Sequence, residues 1–344
     1  MTDLPNEAQG PQRIMELSSG LWASKTLSTA LHLDLFGALA AHPGATPTEL
    51  ADRLGISARP MRSLLAACAA LGLLTRVGEK CFNTPLSQRH LVRTSPDYFG
   101  GWVEMLDRHD YPGWMQLHDA LRHNRPTAWN PDEQNSLFDN ADPVMLDTFW
   151  EAMTTVSTVT ARQLGSRLDL NRTRALLDVG GGGAAWDIEL CRMHPPLRAA
   201  VYDLPHVCEL TQKKIDQANL GDRITTIPGD FFADTSFPEG YDTHLVSSVL
   251  HDWSDAQCRE LLARSFTALP SNGRLVIAEL LIDDTEDGPL DAALMGLAMQ
   301  VETWGRSFTA AELTSWLTRT GFTDVHVTRI HAPIANAGVI ARKP

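Results

Sequence analysis

The sequence predicts an α/β protein in two parts: a doubly wound, mostly parallel sheet with an antiparallel edge hairpin, preceded by a helical domain patterned as a winged helix. Three observations carry this. From Arg174 onward, short apolar runs alternate with helical stretches across brief connections, as in strands joined by right-handed crossovers. Upstream, ATPTELADRLGISARPMRSLLAACAALGLL encodes two helices turning at Gly55, followed by short strands near 73–77 and 81–84. The length of 344 residues also exceeds one ordinary hydrophobic core.

Taken in order, residues 12 to about 41 set Ile14, Leu17, Leu21, Leu27, Leu31, Leu35 and Leu39 near 3.6-residue spacing and stop at Pro43-Gly44. One helix with a wide apolar face is expected there. Residues 98–165 form further helices interrupted at Pro112, Pro126, Pro131 and Pro143, with Phe99, Trp102, Met105, Trp114, Phe149 and Met153 as core. The strands ALLDV, AAVYD, RITTI, YDTHLVSSV and GRLVIAELL then alternate with helices to about 194, over 206–218 and over 255–268. A last helix over 310–320 precedes FTDVHVTRI and NAGVIAR, two consecutive strands that form the hairpin. The expected division is a helical, winged-helix-like domain at 1–100, a helical connector at 101–165, and a ligand-binding domain at 166–344.

With 42 acidic against 29 basic side chains the net charge is −13, which excludes a general affinity for nucleic acid or anionic membrane. The helix in the recognition position offers Arg59 and Arg62 before turning into LLAACAALGLL, which has nothing for base edges. Five scattered cysteines without a CxxC pair suggest neither a disulfide framework nor a metal site. The polar opening MTDLPNEAQGPQ is no secretion signal, and no uncharged apolar run is long enough for a bilayer, so a cytoplasmic protein with a small-molecule partner is expected.

Gly180-x-Gly182-x-x-Ala185 satisfies a loose dinucleotide fingerprint, and bare glycines let any ligand approach the backbone closely. Asp178 discriminates. A carboxylate at the strand end suits S-adenosylmethionine, which carries an ammonium and a sulfonium, and opposes a pyrophosphate. Asp203, ending the second strand, is placed to accept from ribose hydroxyls. Asp230, after the third, is placed to accept from an adenine amino group while Phe231 covers a ring face. Each acid alone could be a cap or a solvated loop residue; three at successive strand ends favour the cofactor.

The segments LLDVGGGG, VYDLPHV, PGDFF, LVSSVLHDWSD, GRLVIAELLI and GRSFTAAELTSWLTRTGF, in this order, resemble the plant-type and bacterial O-methyltransferases that use S-adenosylmethionine, such as acetylserotonin, caffeate and hydroxyneurosporene methyltransferases. The resemblance implies a class I methyltransferase, Rossmann-like sheet, a winged-helix N-terminal dimerisation domain, and a homodimer through the N-terminal helices. It implies a cofactor site of Asp178, Gly180, Gly182, Asp203, Leu204, Gly229, Asp230, Phe231 and Ser247. It further implies that His251, in the HDW motif, is the general base, with Asp252 and Glu279 orienting it or bordering the pocket.

His251 follows an apolar strand at its carboxyl end, where open α/β sheets bind ligands; packing beside Trp253 or capping the next helix is the other reading. Two departures stand out. Ser247-Ser248 replace a basic residue that many plant members carry before HDW, and Arg306-Ser307-Phe308-Thr309 stand where those members have an acid in an E-R-T stretch. Glu302, in MQVETWGRS, is the candidate replacement for that second acid. The acceptor is a small molecule, methylated most simply at a hydroxyl. The alternatives are the sulfur of a thioether acid such as methylthiohydroxybutyrate, a non-methylating hydroxylase or decarboxylase, and a winged-helix regulator sensing the cofactor. An acidic acceptor would call for a cation, with Arg108, His109 and Arg162 as candidates.

Overall fold

The computed structural model describes residues 10–134, 136–139 and 143–344. They divide into two compact units, the second being Arg108–Pro344.

In the first unit the expected long helix is three: Gly10–Ser18, Gly20–His32 and Leu35–Ala41. The last break is at Asp34, whose backbone is left-handed (φ 53°), a conformation that no helix interior tolerates. The break separates fates along the apolar stripe. Leu31, Leu35 and Leu39 are buried with Phe36, Leu50, Met61 and Leu65, whereas Ile14, Leu17 and Trp22 are 70%, 65% and 74% exposed. Thr46 and Glu49 form a reciprocal capping box that starts helix Pro47–Leu54, and left-handed Gly55 ends it. Helix Ala58–Ala70 leads into an antiparallel pair, β1 (Leu74–Val77) and β2 (Lys80–Asn83).

The second unit is built on seven strands: β3 (Ala175–Val179), β4 (Arg198–Asp203), β5 (Ile224–Pro228), β6 (Thr243–Ser247), β7 (Arg274–Glu279), β8 (Thr323–Arg329) and β9 (Ala337–Arg342). Their order is β5-β4-β3-β6-β7-β9-β8, parallel through β7, with β9 antiparallel to both β7 and β8. Neighbouring residues face opposite sides: Leu177, Val246 and Ile277 join one core with Leu313, Leu317 and Phe322, while Leu176, Leu245 and Val276 join another with Leu164 and Leu190. Strand order reverses between β3 and β6, so a crevice opens at their carboxyl ends. Asp178, Asp203, Ser247 and Glu279 all sit within one residue of such an end.

Two α-helices are additional to the sequence expectation, Pro85–His90 and Leu290–Glu302. Among the described residues no helix is long and apolar enough to cross a membrane.

Candidate active site

The turn after β3 needs its glycines. Gly180 and Gly182 have φ of 70° and 54°, where side chains are strained, and a Cβ at Gly182 would run into the ring of Trp150. Trp150 and Thr154 come from helix Pro143–Gly165, which packs along helix Ala185–Met193 and covers the turn. Asp203 braces it from the side: its carboxylate accepts the Gly182 N–H at 2.9 Å and the Leu204 N–H at 2.7 Å. Burial still holds Asp203 up at about 6, against those two donors. Asp178 lies beneath Gly181, wholly buried, with neither oxygen hydrogen-bonded to a donor; Asp187, on the following helix, is in the same condition. Burial and then Asp187 push Asp178 well above the usual carboxylate range.

Further round the crevice, Asp230 accepts from the N–H groups of Phe232 (2.8 Å) and Ala233 (3.3 Å), so it serves as a turn cap. Phe231 approaches the Gly180 turn and meets the Trp253 ring edge-on at 5.7 Å. Gly229 donates its N–H to the Asp203 carbonyl, and the hydroxyls of Ser247 and Ser248 are buried without a partner. Buried carboxyls and hydroxyls with open valences, around a turn bare of side chains, fit a ligand bearing an ammonium and hydroxyl groups.

His251 sits just beyond β6 in a short 3₁₀ turn, Leu250–Asp252, and is 8% exposed. Glu279, ending β7, bonds its Nδ1 at 2.6 Å and accepts the Val249 and Leu250 N–H groups with its other oxygen at 3.2 and 3.0 Å. One carboxylate thus fixes both the turn and the ring, leaving Nε2 as the free nitrogen, 3.8 Å from Asp252 Oδ1. Burial disfavours the imidazolium, but Glu279 and Asp252, with Glu302 behind them, outweigh it and raise His251 to about 9. His244, seven residues earlier, shows the opposite: buried against the Ser265 hydroxyl with no acid beside it, it is driven down to about 3. The two histidines differ by their company, not by their depth.

Known proteins agree with this picture. Residues 114–323 match an O-methyltransferase domain family and residues 15–93 an O-methyltransferase dimerisation domain. A 3-hydroxy-5-methyl-1-naphthoate 3-O-methyltransferase from Streptomyces sahachiroi is 46% identical over 98% of this chain and 96% of its own. This chain belongs to the O-methyltransferase family. A tetracenomycin polyketide synthesis 8-O-methyltransferase from Streptomyces glaucescens is 34% identical over 98% of both chains. The solved structure of human N-acetylserotonin methyltransferase in complex with its cofactor superposes with a TM-score of 0.88 at 28% identity, covering 100% of this chain and 99% of that one. The protein is therefore an S-adenosylmethionine-dependent small-molecule O-methyltransferase with the Rossmann-like class I fold and, in its dimerisation domain, the means to form a homodimer.

Within this methyltransferase the E-R-T departure begins beside the His251 turn. Gly305, just before Arg306, lies so close to the His251 and Asp252 backbone that a Cβ would overlap the His251 carbonyl. Arg306 itself is held by Asp255 and Glu312 and lies 4.7 Å from the Phe308 ring centroid. Glu302, four residues before Arg306, is an acid whose charge reaches His251 and Asp252. Burial, then Asp110 and Asp252, raise Glu302 well above its usual range. Three residues escaped sequence reasoning: Asp110, whose charge reaches Glu302, Asp187, whose charge reaches Asp178, and Trp150, against Gly182. Of the cations considered for an acidic acceptor, Arg162 is engaged by Glu189 at 2.8 and 3.2 Å and Arg108 is exposed.

Proposed function

We propose that this enzyme methylates a phenolic hydroxyl of a fused-ring aromatic acceptor, of the kind handled by the naphthoate and tetracenomycin relatives, with His251 as general base. The observation that carries the reading is the His251–Glu279 dyad at 2.6 Å, set beside the aromatic cluster of Trp253, Phe231, Phe232 and Phe138. Asp178, Gly180, Gly182, Asp203, Leu204, Gly229, Asp230, Phe231 and Ser247 would hold the cofactor; its sulfonium supplies the methyl group in line with the acceptor oxygen. Glu279 keeps His251 in the tautomer that presents an unprotonated Nε2, and Nε2 takes the hydroxyl proton. A phenol near 10 faces a histidine near 9, so the transfer is uphill by only about 1.4 kcal/mol per unit of mismatch. Alignment contributes more, up to roughly 7–11 kcal/mol in favourable cases.

The same reading assigns residues 1–100 to dimerisation, 101–165 to a connector covering the acceptor and 166–344 to cofactor binding, in a cytoplasmic enzyme. The test is incubation with methyl-labelled cofactor and 3-hydroxy-1-naphthoate or 2-naphthol. Label in the aryl methyl ether, lost in His251→Ala by about 10² to 10⁴-fold with cofactor affinity kept, is the expected result. Transfer undiminished in His251→Ala, or none to any naphthol, would overturn it.

A further inference from the structure

Asp110 has no task in the chemistry above, yet it is 8% exposed and caps nothing, although it directly precedes helix Tyr111–Trp114. Its segment is fastened to the end of helix Leu290–Glu302. Gly113 packs against Val301 with no room for a side chain, and Thr127 donates its hydroxyl to the Gly113 carbonyl at 3.1 Å. The Thr127 and Ala128 N–H groups both donate to the Val301 carbonyl, at 2.8 and 3.0 Å, and the Trp129 indole donates to the Glu302 carbonyl at 2.6 Å. These bonds fasten the Asp110 segment to the helix end that carries Glu302, whose carboxyl feels the charges of Asp110, Asp252 and His251. Among the described residues neither carboxyl has a hydrogen-bond partner.

We infer that Asp110 and Glu302 together bind a second hydroxyl of the acceptor, distinct from the one that is methylated, and so select for polyhydroxylated aromatic substrates. The inference rests on the aromatic-acceptor reading. Two adjoining carboxyls do not both ionise readily in a recess, so one keeps a proton. Burial accordingly lifts Asp110 to about 7. A pair sharing one proton offers one O–H donor and one carboxylate acceptor, and a hydroxyl, which both accepts and donates, satisfies both. A bare aromatic edge would leave the buried Asp110 carboxyl unsatisfied, which is the stronger source of discrimination. Asp252 adds negative charge beside Glu302, which disfavours a carboxylate at this position.

The experiment compares 2-naphthol with the isomeric dihydroxynaphthalenes, measuring KM and kcat by methyl ether formation and acceptor affinity by calorimetry with S-adenosylhomocysteine present. In wild type at least one dihydroxy isomer has a KM lower than 2-naphthol by about tenfold. Asp110→Leu abolishes that difference while leaving KM for 2-naphthol and the affinity for S-adenosylhomocysteine within about twofold, and Asp110→Asn, which keeps a donor and an acceptor, restores part of it. Loss of both acceptors alike would make Asp110 a packing residue, and a preference surviving in Asp110→Leu would remove it from recognition. Wild type that binds no naphthol at all overturns the aromatic reading and this inference with it.

Discussion

Replacing Glu279 by Gln tests the dyad most directly, because it removes one charge and keeps the shape. His251 stands at about 9 against an ordinary 6.5, although burial works against it. That difference is about 3 kcal/mol of preference for the imidazolium. Glu279 is the largest raising influence and the nearest, at 2.6 Å. Without its charge, burial competes with Asp252 and Glu302 alone, and His251 should fall by about 1 to 3 units. His244 marks how far burial carries an imidazole lacking an acid, to about 3. The Gln oxygen can still accept from Val249 and Leu250, but its amide then points N–H toward Nδ1 and drives the proton to Nε2, the wrong tautomer for a base. The assay is kcat/KM from pH 6 to 10 on an identified acceptor, which reports the free enzyme. Wild type should gain activity with pH through a limb near 9; Glu279→Gln should move that limb below about 8 and lower kcat by about 10² to 10⁴-fold. Coincident limbs in the two proteins, or a wild-type profile flat from pH 7 to 10, would refute the dyad.

Three further outcomes follow from other parts of the molecule. Asp178→Asn should weaken calorimetric binding of S-adenosylmethionine yet raise the melting temperature of the cofactor-free protein, since it relieves two abutting buried carboxyls; a lowered melting temperature would contradict this. Asp187 and Asp203 are raised to about 6 from 3.8, so the stability tied to their protons is complete below about pH 3.8 and lost as pH rises through 6; that tied to His251 is complete below 6.5 and lost as pH rises through 9. Thermal melts of the cofactor-free protein should therefore fall steadily from pH 5 to pH 9, and a rise over that range would defeat the assignment. Changing Ile14, Leu17 and Trp22 together to Asp should convert the dimer to monomers in sedimentation velocity without lowering the melting temperature of the sheet-bearing unit; an intact dimer would place the interface elsewhere.

How far the sequence could carry the reader depended on whether a signal was local. The seven-stranded sheet was legible because each strand is a run of alternating or continuous apolar residues bounded by turn chemistry, and the final helix because Thr309 and Glu312 spell out its capping box. Helix Leu290–Glu302 went unseen for the opposite reason. LDAALMGLAMQVE is apolar nearly all round, so it lacks the one-sided stripe that marks a helix, and Pro289 replaces the usual hydroxyl cap. The single helix expected over 12–41 failed at Asp34, where a left-handed residue turns the chain without breaking the leucine spacing.

The site divides along the same line. Asp178 and Asp203 are legible in the sequence because strand ends in a parallel sheet must converge, and His251 because it follows one, whereas Ser247 and Glu279 enter only through the family resemblance. Asp187 could have been noticed: nine residues after Asp178 on the first helix, it is a charge where an apolar side chain would cover the sheet, and it is fully buried. Asp110 and Trp150 carry no such mark. Trp150 meets the turn after β3, and the Asp110 segment meets helix Leu290–Glu302, only because Gly182 and Gly113 admit them at distances that a methyl group would forbid, and the closeness is recorded in what those glycines lack. Gly305 makes the same point about the reaction. By yielding its place to the His251 carbonyl it lets the chain run against the turn that carries the base, while Glu302, at the end of the preceding helix, reaches His251 by charge. Gly305→Ala should accordingly displace the His251 turn and cost more activity than Glu302→Gln, because it disturbs the base itself, whereas Glu302 acts on that base through charge alone. Parallel kcat and pH profiles decide the order: Glu302→Gln should shift the limb to lower pH with kcat reduced less than in Gly305→Ala, and a Gly305→Ala enzyme with wild-type kcat would show that the turn can give way.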